Sequence, residues 1–348
     1  MKFLQAEFEQ DLLAEIDDSG AIRIGESLFS PVDILSSDQE AYENELTLWR
    51  SEVWLPPKLE KLKKILELEN NQHRFADLLE LLLRNKVVPF VGSGMSASSS
   101  MPMWTKFLWQ LQTQSTLAAT DLQAMIDAGN YEDAASALIA NMPNPLFNEK
   151  LEQTFRARQL DNVVGAVKYL PRIFASTVVT TNYDNILELV FQDLEIEFDE
   201  ILFGKRIEDH SEFRRNEQRC LLKLHGDFRR PSTRVLTKPE YDSCYQEGSA
   251  FKAELSLIYQ ANSLLFLGCS LQNDRTVSLL AEVASRDPTM PRHYAFLASP
   301  DTPEDRIRRE HFLTDRKIFP IWYPVLEHNH DEPIEALLIG LMQGLGKI

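Results

Sequence analysis

From Phe75 onward, short apolar runs alternate with stretches whose apolar residues recur three and four apart. That alternation predicts an α/β domain on a mainly parallel sheet, with helices on both faces. The runs are VVPFV (87–91), STVVTT (176–181), CLLKL (220–224), SLLFLG (263–268), HYAFLA (293–298) and IFPIWY (318–323). They predict a six-stranded, doubly wound, Rossmann-like fold. Between them EDAASALIANM, DNILELVFQDL, FKAELSLIYQ, PEDRIRREHF and PIEALLIGLMQGL have helical spacing, and a helical insert is expected within the domain. Ligands in such folds sit beyond the carboxyl ends of the strands.

Residues 1–80 read as an acidic, helix-rich accessory region, and 81–348 as the domain proper. A short hairpin is expected at AIRIGESLF, and a helix over SDQEAYENELTLWRSEVW that Pro56 and Pro57 end. Leu12, Leu13 and Ile16, then Leu46, Trp49 and Trp54, fall on helical spacing. Either they pack within the chain or they form the interface of a homo-oligomer.

Composition removes several function classes. The net charge of −17, from 53 acidic and 36 basic residues, repels a phosphate backbone, so no direct nucleic-acid binding is expected. The densest basic cluster, Arg214 to Arg219 with Arg229 and Arg230, reads as a solvated loop. No apolar run approaches the roughly 18 residues that cross a bilayer, and no membrane partner is expected. The opening MKFLQAEFEQDLLAEIDD turns acidic where a signal peptide stays apolar, and the three cysteines, Cys220, Cys244 and Cys269, are widely spaced. Both features suit a reducing cytoplasm. Three cysteines supply neither a disulfide framework nor a four-thiolate zinc site.

The candidate chemistry begins where the first strand ends. GSGMSA, Gly92 to Ala97, satisfies G-x-G-x-x-G/A, the turn that brings backbone N–H groups to a pyrophosphate at a helix N-terminus, although a tight turn without a ligand also satisfies it. The small residues after it predict a helix free of bulky side chains for two turns. A dehydrogenase would close a second strand on an acid about 20 residues later. FLWQLQTQSTL stands there instead, helical and without an acid.

Three more strand ends carry polar or small groups: VVTTNYDN (178–185), LLKLHGD (221–227) and LFLGCSLQND (265–274). Together with GSGMS they resemble the sirtuin family over roughly residues 85–325. The resemblance implies NAD as substrate, with its diphosphate on Gly92, Ser93, Gly94, Met95 and Ser96. It places the nicotinamide ribose on Thr181, Asn182 and Asp184, the adenosine half on Gly268, Ser270 and Leu271, and the catalytic base on His225. Trp104 would border the nicotinamide pocket. Two departures matter. Lysine deacylases of this family carry a four-cysteine zinc module that this chain lacks, so no zinc is expected. They also continue the glycine loop into Pro-Asp-Phe-Arg, where this chain reads SMPMWTKFL. That form is similar to the sirtuin-like domains of bacterial antiphage defence, which consume NAD and can dock on a HerA-type ring ATPase.

The implied reaction asks for few groups. Nicotinamide joined through its glycosidic nitrogen is cationic and leaves neutral, so little acid catalysis is needed. A histidine with an ordinary pKa near neutrality suits a base at a water or ribose hydroxyl. Asn182 offers a donor and an acceptor to orient that water, or it caps the helix beginning near Asp184. Cys269 reads as a small buried hydrophobe, His328 and His330 as a chance pair in an acidic loop, Trp109 and Trp322 as core, and Tyr241 as a tether. The expected function is NAD hydrolysis in defence. An NAD-dependent deacylase or ADP-ribosyl transferase, and a non-catalytic NAD-sensing subunit, stay open as alternatives.

Overall fold

The computed structural model describes residues 2–14, 22–24, 27–157, 159–160, 163–272, 275–325 and 329–348. Ile16 and His328 lie outside them. The chain divides into two compact units, Met1–Lys63 and Lys64–Ile348.

In the first unit Ile22–Ile24 (β1) and Ser27–Phe29 (β2) pair antiparallel, as the hairpin expectation required. Helices follow at Pro31–Ser36, where the Ser30 hydroxyl accepts from the Asp33 amide, and at Gln39–Trp49, where Asp38 accepts from Glu40 and Ala41. Such caps satisfy amides that have no partner inside a helix. Pro56 and Pro57 do not end the helix. The backbone passes through a π-helical turn, Arg50–Trp54, in which the Leu55 amide reaches back five residues to Arg50, and continues as Leu55–Leu66. The wider turn admits prolines at the start of the new helical segment, where a missing N–H costs least. Trp49 and Trp54 are used inside the unit. Phe8 lies 5.5 Å from both Tyr42 and Trp49, and the two indoles donate to Asp11 and Glu7. Leu13, Ile24, Leu28 and Val53 remain exposed.

The second unit is built on a seven-stranded sheet in the order β5-β6-β4-β3-β7-β8-β9, every neighbour parallel. Its strands are β3 (Val87–Val91), β4 (Val178–Thr180), β5 (Glu200–Phe203), β6 (Cys220–Lys223), β7 (Ser263–Leu267), β8 (His293–Ala298) and β9 (Ile318–Tyr323). Six follow the apolar runs. The seventh, β5, corrects the six-strand expectation: EILF is a half-buried edge strand next to Asp199, too short and too charged to read as a core run. The central β3 has β4 on one side and β7 on the other, so the chain reverses its direction of winding there. A crevice opens at such a point beyond the carboxyl ends of the strands.

The insert lies between β3 and β4 in sequence. Its helices, Trp104–Gln112, Ala119–Asp127, Tyr131–Ala140 and Asn144–Phe155, share an apolar core around Phe107, Leu111, Leu122 and Leu138.

The unit boundary at Lys63/Lys64 precedes the expected one near residue 80 because the helix Asn71–Leu83 is bonded to β9. The buried Asn71 amide donates to the carbonyls of Ile65 and Trp322 and accepts from the Trp322 amide, at 2.7, 2.7 and 2.9 Å. Arg74 donates to the Pro320 carbonyl and pairs with Glu310. Replacing Asn71 with Ala strands three buried backbone groups, and a loss of about 3 kcal/mol is expected. Urea unfolding measures it; an unchanged midpoint would remove Asn71 from the account of this boundary.

Candidate active site

At the end of β3 the Gly92 amide donates to the Leu267 carbonyl at 2.8 Å, and the Gly94 amide to the Gly268 carbonyl at 2.9 Å. The two loops touch backbone to backbone. A Cβ on Gly92 would sit 2.5 Å from the Gly268 oxygen, and one on Gly94 2.9 Å from the Gly268 Cα. Gly268 itself has φ +64°, and a Cβ there would meet the Met95 amide nitrogen at 2.4 Å. Three glycines are therefore demanded by one loop contact, independent of any ligand.

The glycine turn does not open a long helix. Ser93–Ser96 is a single 3₁₀ turn, Ser100 takes φ 65°, and the next helix starts only at Trp104. Serine side chains compete with helical hydrogen bonds, and Ser99 bonds both the carbonyl and the amide of Val164. Pro102 then keeps the chain extended before Trp104.

Asn182 joins this turn to the end of β4. Its Nδ2 donates to the Gly92 carbonyl and to Ser96 Oγ, both at 3.1 Å. A carbonyl only accepts, so the amide orientation is fixed. The other end, Oδ1, is buried with no hydrogen-bond partner. Asn182 does not cap the next helix. The N-cap position is Asn185, without a side-chain cap bond, and Asp184 just before it accepts from the Ile186 amide at 3.1 Å.

His225 follows β6, and its Nδ1 lies 3.3 Å from the Tyr241 hydroxyl while Nε2 is buried without a partner. Burial pushes its pKa from 6.5 down to about 4, which keeps the ring neutral near pH 7. Asp227, two residues on, does not orient the imidazole. It accepts from Lys223 at 2.9 Å and is gripped by Arg229, and both cations also reach Glu188. Burial alone would raise the Asp227 pKa, but Arg229 and Lys223 outweigh it and hold it at about 2. Burial alone would lower that of Lys223, and the surrounding carboxylates raise it instead. Asp184 is pushed up by burial, partly offset by Lys223. The fully buried Lys223 ammonium also bonds the Asp184 carbonyl at 2.5 Å, tying the turn after β6 to the loop after β4.

Two cavities share this crevice. One, of about 180 Å³, is lined by Ser93, Ser96, Trp104, Thr181, Asn182, Asp184 and His225, together with Met101, Pro102, Phe155, Tyr183 and Tyr241. The second, of about 1020 Å³, is lined by Gly94, Gly268 and Ser270 with residues of the β8 and β9 ends. Gly92, Met95 and Leu271 line neither. The Met95 and Leu271 side chains are buried, so their contribution is to shape the loops.

Sequence reasoning missed two residues here. Tyr241, read as a tether, meets His225; its place on the helix Lys238–Tyr245 brings it back to a histidine 16 residues earlier, which no periodicity reveals. Arg309 donates to the carbonyls of Ser270 and Leu271 and holds the loop after β7, where Leu271 has φ 50°. Cys269 is half-buried on the wall of the second cavity. His330 is exposed and bonds Tyr323. Among the described residues no cluster of three or more His, Cys, Asp or Glu is placed to hold a metal ion.

The buried histidines set a pH dependence. His225 and His293 have folded pKa values of about 4 and about 3, below the ordinary 6.5. The unfolded chain therefore takes up protons first as pH falls, and stability drops from pH 6.5 downward. Each histidine contributes a slope of about 1.4 kcal/mol per pH unit well below 6.5. His225→Ala should remove about half of the slope between pH 6 and pH 5 in denaturant titrations. A slope equal to the wild type's would mean that His225 is not held neutral.

A model of the SIR2-like domain matches residues 176–321, which span β4 to β9. "NAD(+) hydrolase ThsA" of Bacillus cereus (strain MSX-D12) is 22% identical over 271 residues, covering 75% of this chain and 55% of the relative. "Defense-associated sirtuin 2" of Bacillus subtilis is 27% identical over 234 residues, covering 64% and 22%. The chain thus spans about half or less of the length of these curated relatives. A solved SIR2 homolog–NAD complex aligns over 78% of this chain and 94% of its own, with 14% identity and a TM-score of 0.37. The polar strand ends at Asn182, His225 and Gly268 fall within the span that this family model matches.

Proposed function

We propose that this chain is an NAD hydrolase, converting NAD and water to ADP-ribose and nicotinamide, and that it acts in antiphage defence by depleting NAD. The observation that carries this is the pair of unpartnered polar atoms, Asn182 Oδ1 and His225 Nε2, on two residues of one small cavity. Buried polar atoms without partners are rare, and two on residues that line a single cavity point to a hydrogen-bonding guest. Relatives named NAD(+) hydrolase support the same chemistry.

In the proposed reaction the water oxygen bonds to C1′ of the nicotinamide ribose, and the C–N bond breaks with its electron pair leaving on nicotinamide. The cationic ring becomes neutral. The proton of the water passes to Nε2 of His225, and Asn182 Oδ1 accepts the other O–H. Trp104, which stacks on Tyr183 at 5.9 Å, forms with Pro102 and Phe155 an apolar wall for the nicotinamide ring. The larger cavity, bounded by Gly94, Gly268 and Ser270, receives the ADP half. A histidine held neutral is ready to take a proton at pH 7.

The proposal extends to assembly: a cytoplasmic homo-oligomer, without zinc, that engages a HerA-type ring ATPase. An unrestrained hydrolase would drain its host of NAD, which argues for control by assembly or partner. The acidic chain, at −17, leaves nucleic-acid contact to that partner, and the exposed apolar side chains Ile24 and Leu28 suit an interface.

His225→Ala and Asn182→Ala should each lower nicotinamide release from NAD by at least about a hundredfold, with circular dichroism unchanged. Near-normal turnover in both would end the catalytic assignment. Sedimentation of the full chain should give a closed oligomer. A monomer with full activity and no partner would refute control by assembly.

A further inference from the structure

Among the described residues no carboxylate is hydrogen-bonded to the His225 ring. Tyr183 lies 6.5 Å from the ring, Tyr241 meets it from the helix Lys238–Tyr245, Asp184 lines the same cavity, and Asp227 lies two residues further along the chain. Asp184 is bonded to the Ile186 amide, the Tyr183 hydroxyl to the Val235 carbonyl, and Asp227 to Lys223 and Arg229. The nearby Arg234 is spent on Asn148 and the carbonyls of Asp227 and Phe228, and Glu240 on the amides of Leu236 and Thr237. Nδ1 meets the Tyr241 hydroxyl at 3.3 Å, with the two rings edge to face at 5.1 Å.

The tautomer of a neutral imidazole is set by the bond at one nitrogen, and it decides what the other presents. If the phenol donated to Nδ1, Nε2 would carry the hydrogen and could take no proton. If the phenol oxygen accepts from Nδ1–H, Nε2 presents a lone pair. The fixed Asn182 amide leaves Oδ1 as an unpartnered acceptor on a residue that lines the same cavity. A second acceptor at Nε2 matches a guest with two O–H groups, such as a water or a ribose diol. We propose that the Tyr241 hydroxyl is a positioning group that accepts the Nδ1 hydrogen of His225 and so holds the ring in the tautomer whose Nε2 presents a lone pair to the cavity. This rests on the NAD hydrolase reading, both for the guest that selects the tautomer and for the consequence in catalysis.

The helix that carries Tyr241 is anchored without it. Thr237 and Glu240 form a reciprocal capping box at its N-terminus, and Cys244 and Tyr245 are buried. Removing one oxygen by Tyr241→Phe should therefore leave the fold intact while freeing the ring to populate both tautomers.

Two measurements separate the possibilities. Nitrogen-15 NMR of the full chain labelled at histidine, with His225 assigned by comparison with His225→Ala, reads the tautomer directly without substrate. The expected result is a pyridine-like Nε2 in the wild type and a mixture in Tyr241→Phe; a pyrrole-like Nε2 in the wild type overturns the proposal. Steady-state nicotinamide release then tests the consequence. In Tyr241→Phe, kcat should fall about tenfold to a hundredfold with KM nearly unchanged. The acid limb of the kcat profile should move to lower pH, because the imidazolium loses an acceptor at Nδ1. A limb moving to higher pH marks the phenol as donor and refutes the assignment, as does an unchanged kcat. If the wild type releases no nicotinamide, the hydrolase reading fails, while the NMR result still decides the tautomer.

Discussion

The site depends on the backbone contact between the turn after β3 and the turn after β7. Two hydrogen bonds, from Gly92 to Leu267 and from Gly94 to Gly268, bring the loops closer than any Cβ permits. From that contact the rest follows in order. The Gly92 carbonyl, pinned by its own amide bond, receives the Asn182 amide, which fixes which end of Asn182 is left to the cavity. Gly268, forced to a positive φ, sends the chain through Leu271, also at positive φ, into the grip of Arg309. Glycines commonly read as room for a phosphate are here already required by the protein itself. A ligand on this loop would meet backbone whose position is set before it arrives.

A second constraint sits below the cavity. Lys223 and Arg229 face Asp227 and Glu188, with the Asp184 carbonyl completing the cluster. Removing one member would leave another buried and uncompensated, which costs more than the intact cluster contributes. Its value is geometric. Lys223 is the last residue of β6 and bonds the loop after β4, so the segments bearing His225 and Asn182 are held at one separation.

How much of this was legible in the sequence follows from which forces are local. Strands buried on both faces announce themselves as mainly apolar runs, and β3, β4, β6, β7, β8 and β9 lie in such runs, β6 despite its buried Lys223; β5 is a half-buried edge strand that opens on a glutamate and does not. Asn182, His225 and Gly268 stood out because polar or small residues directly after such runs are placed by the sheet at one edge of the molecule. Tyr241 and Arg309 reach the site from helices whose docking is tertiary, and their own segments carry no sign of it. The π turn before Pro56 was hidden for a related reason. Proline's local rule predicts a break, while the chain absorbed it by widening the preceding turn.

The division of charge between floor and cavity bears on the chemistry. Beneath the smaller cavity, cations and carboxylates compensate one another in the Lys223 cluster. The residues lining the smaller cavity include no Lys or Arg; they offer the Asp184 carboxyl, an amide, a neutral imidazole, hydroxyls and aromatic rings. In the proposed reaction a protonated His225 would repel a cationic nicotinamide ring and could accept no proton, so burial that keeps it neutral would serve both binding and base catalysis. Burial costs the protein stability below pH 6.5, because the unfolded chain gains the proton that the folded one refuses. Spending stability on a neutral histidine has no structural return at Nε2, which bonds nothing in the protein. Its return lies in what enters the cavity.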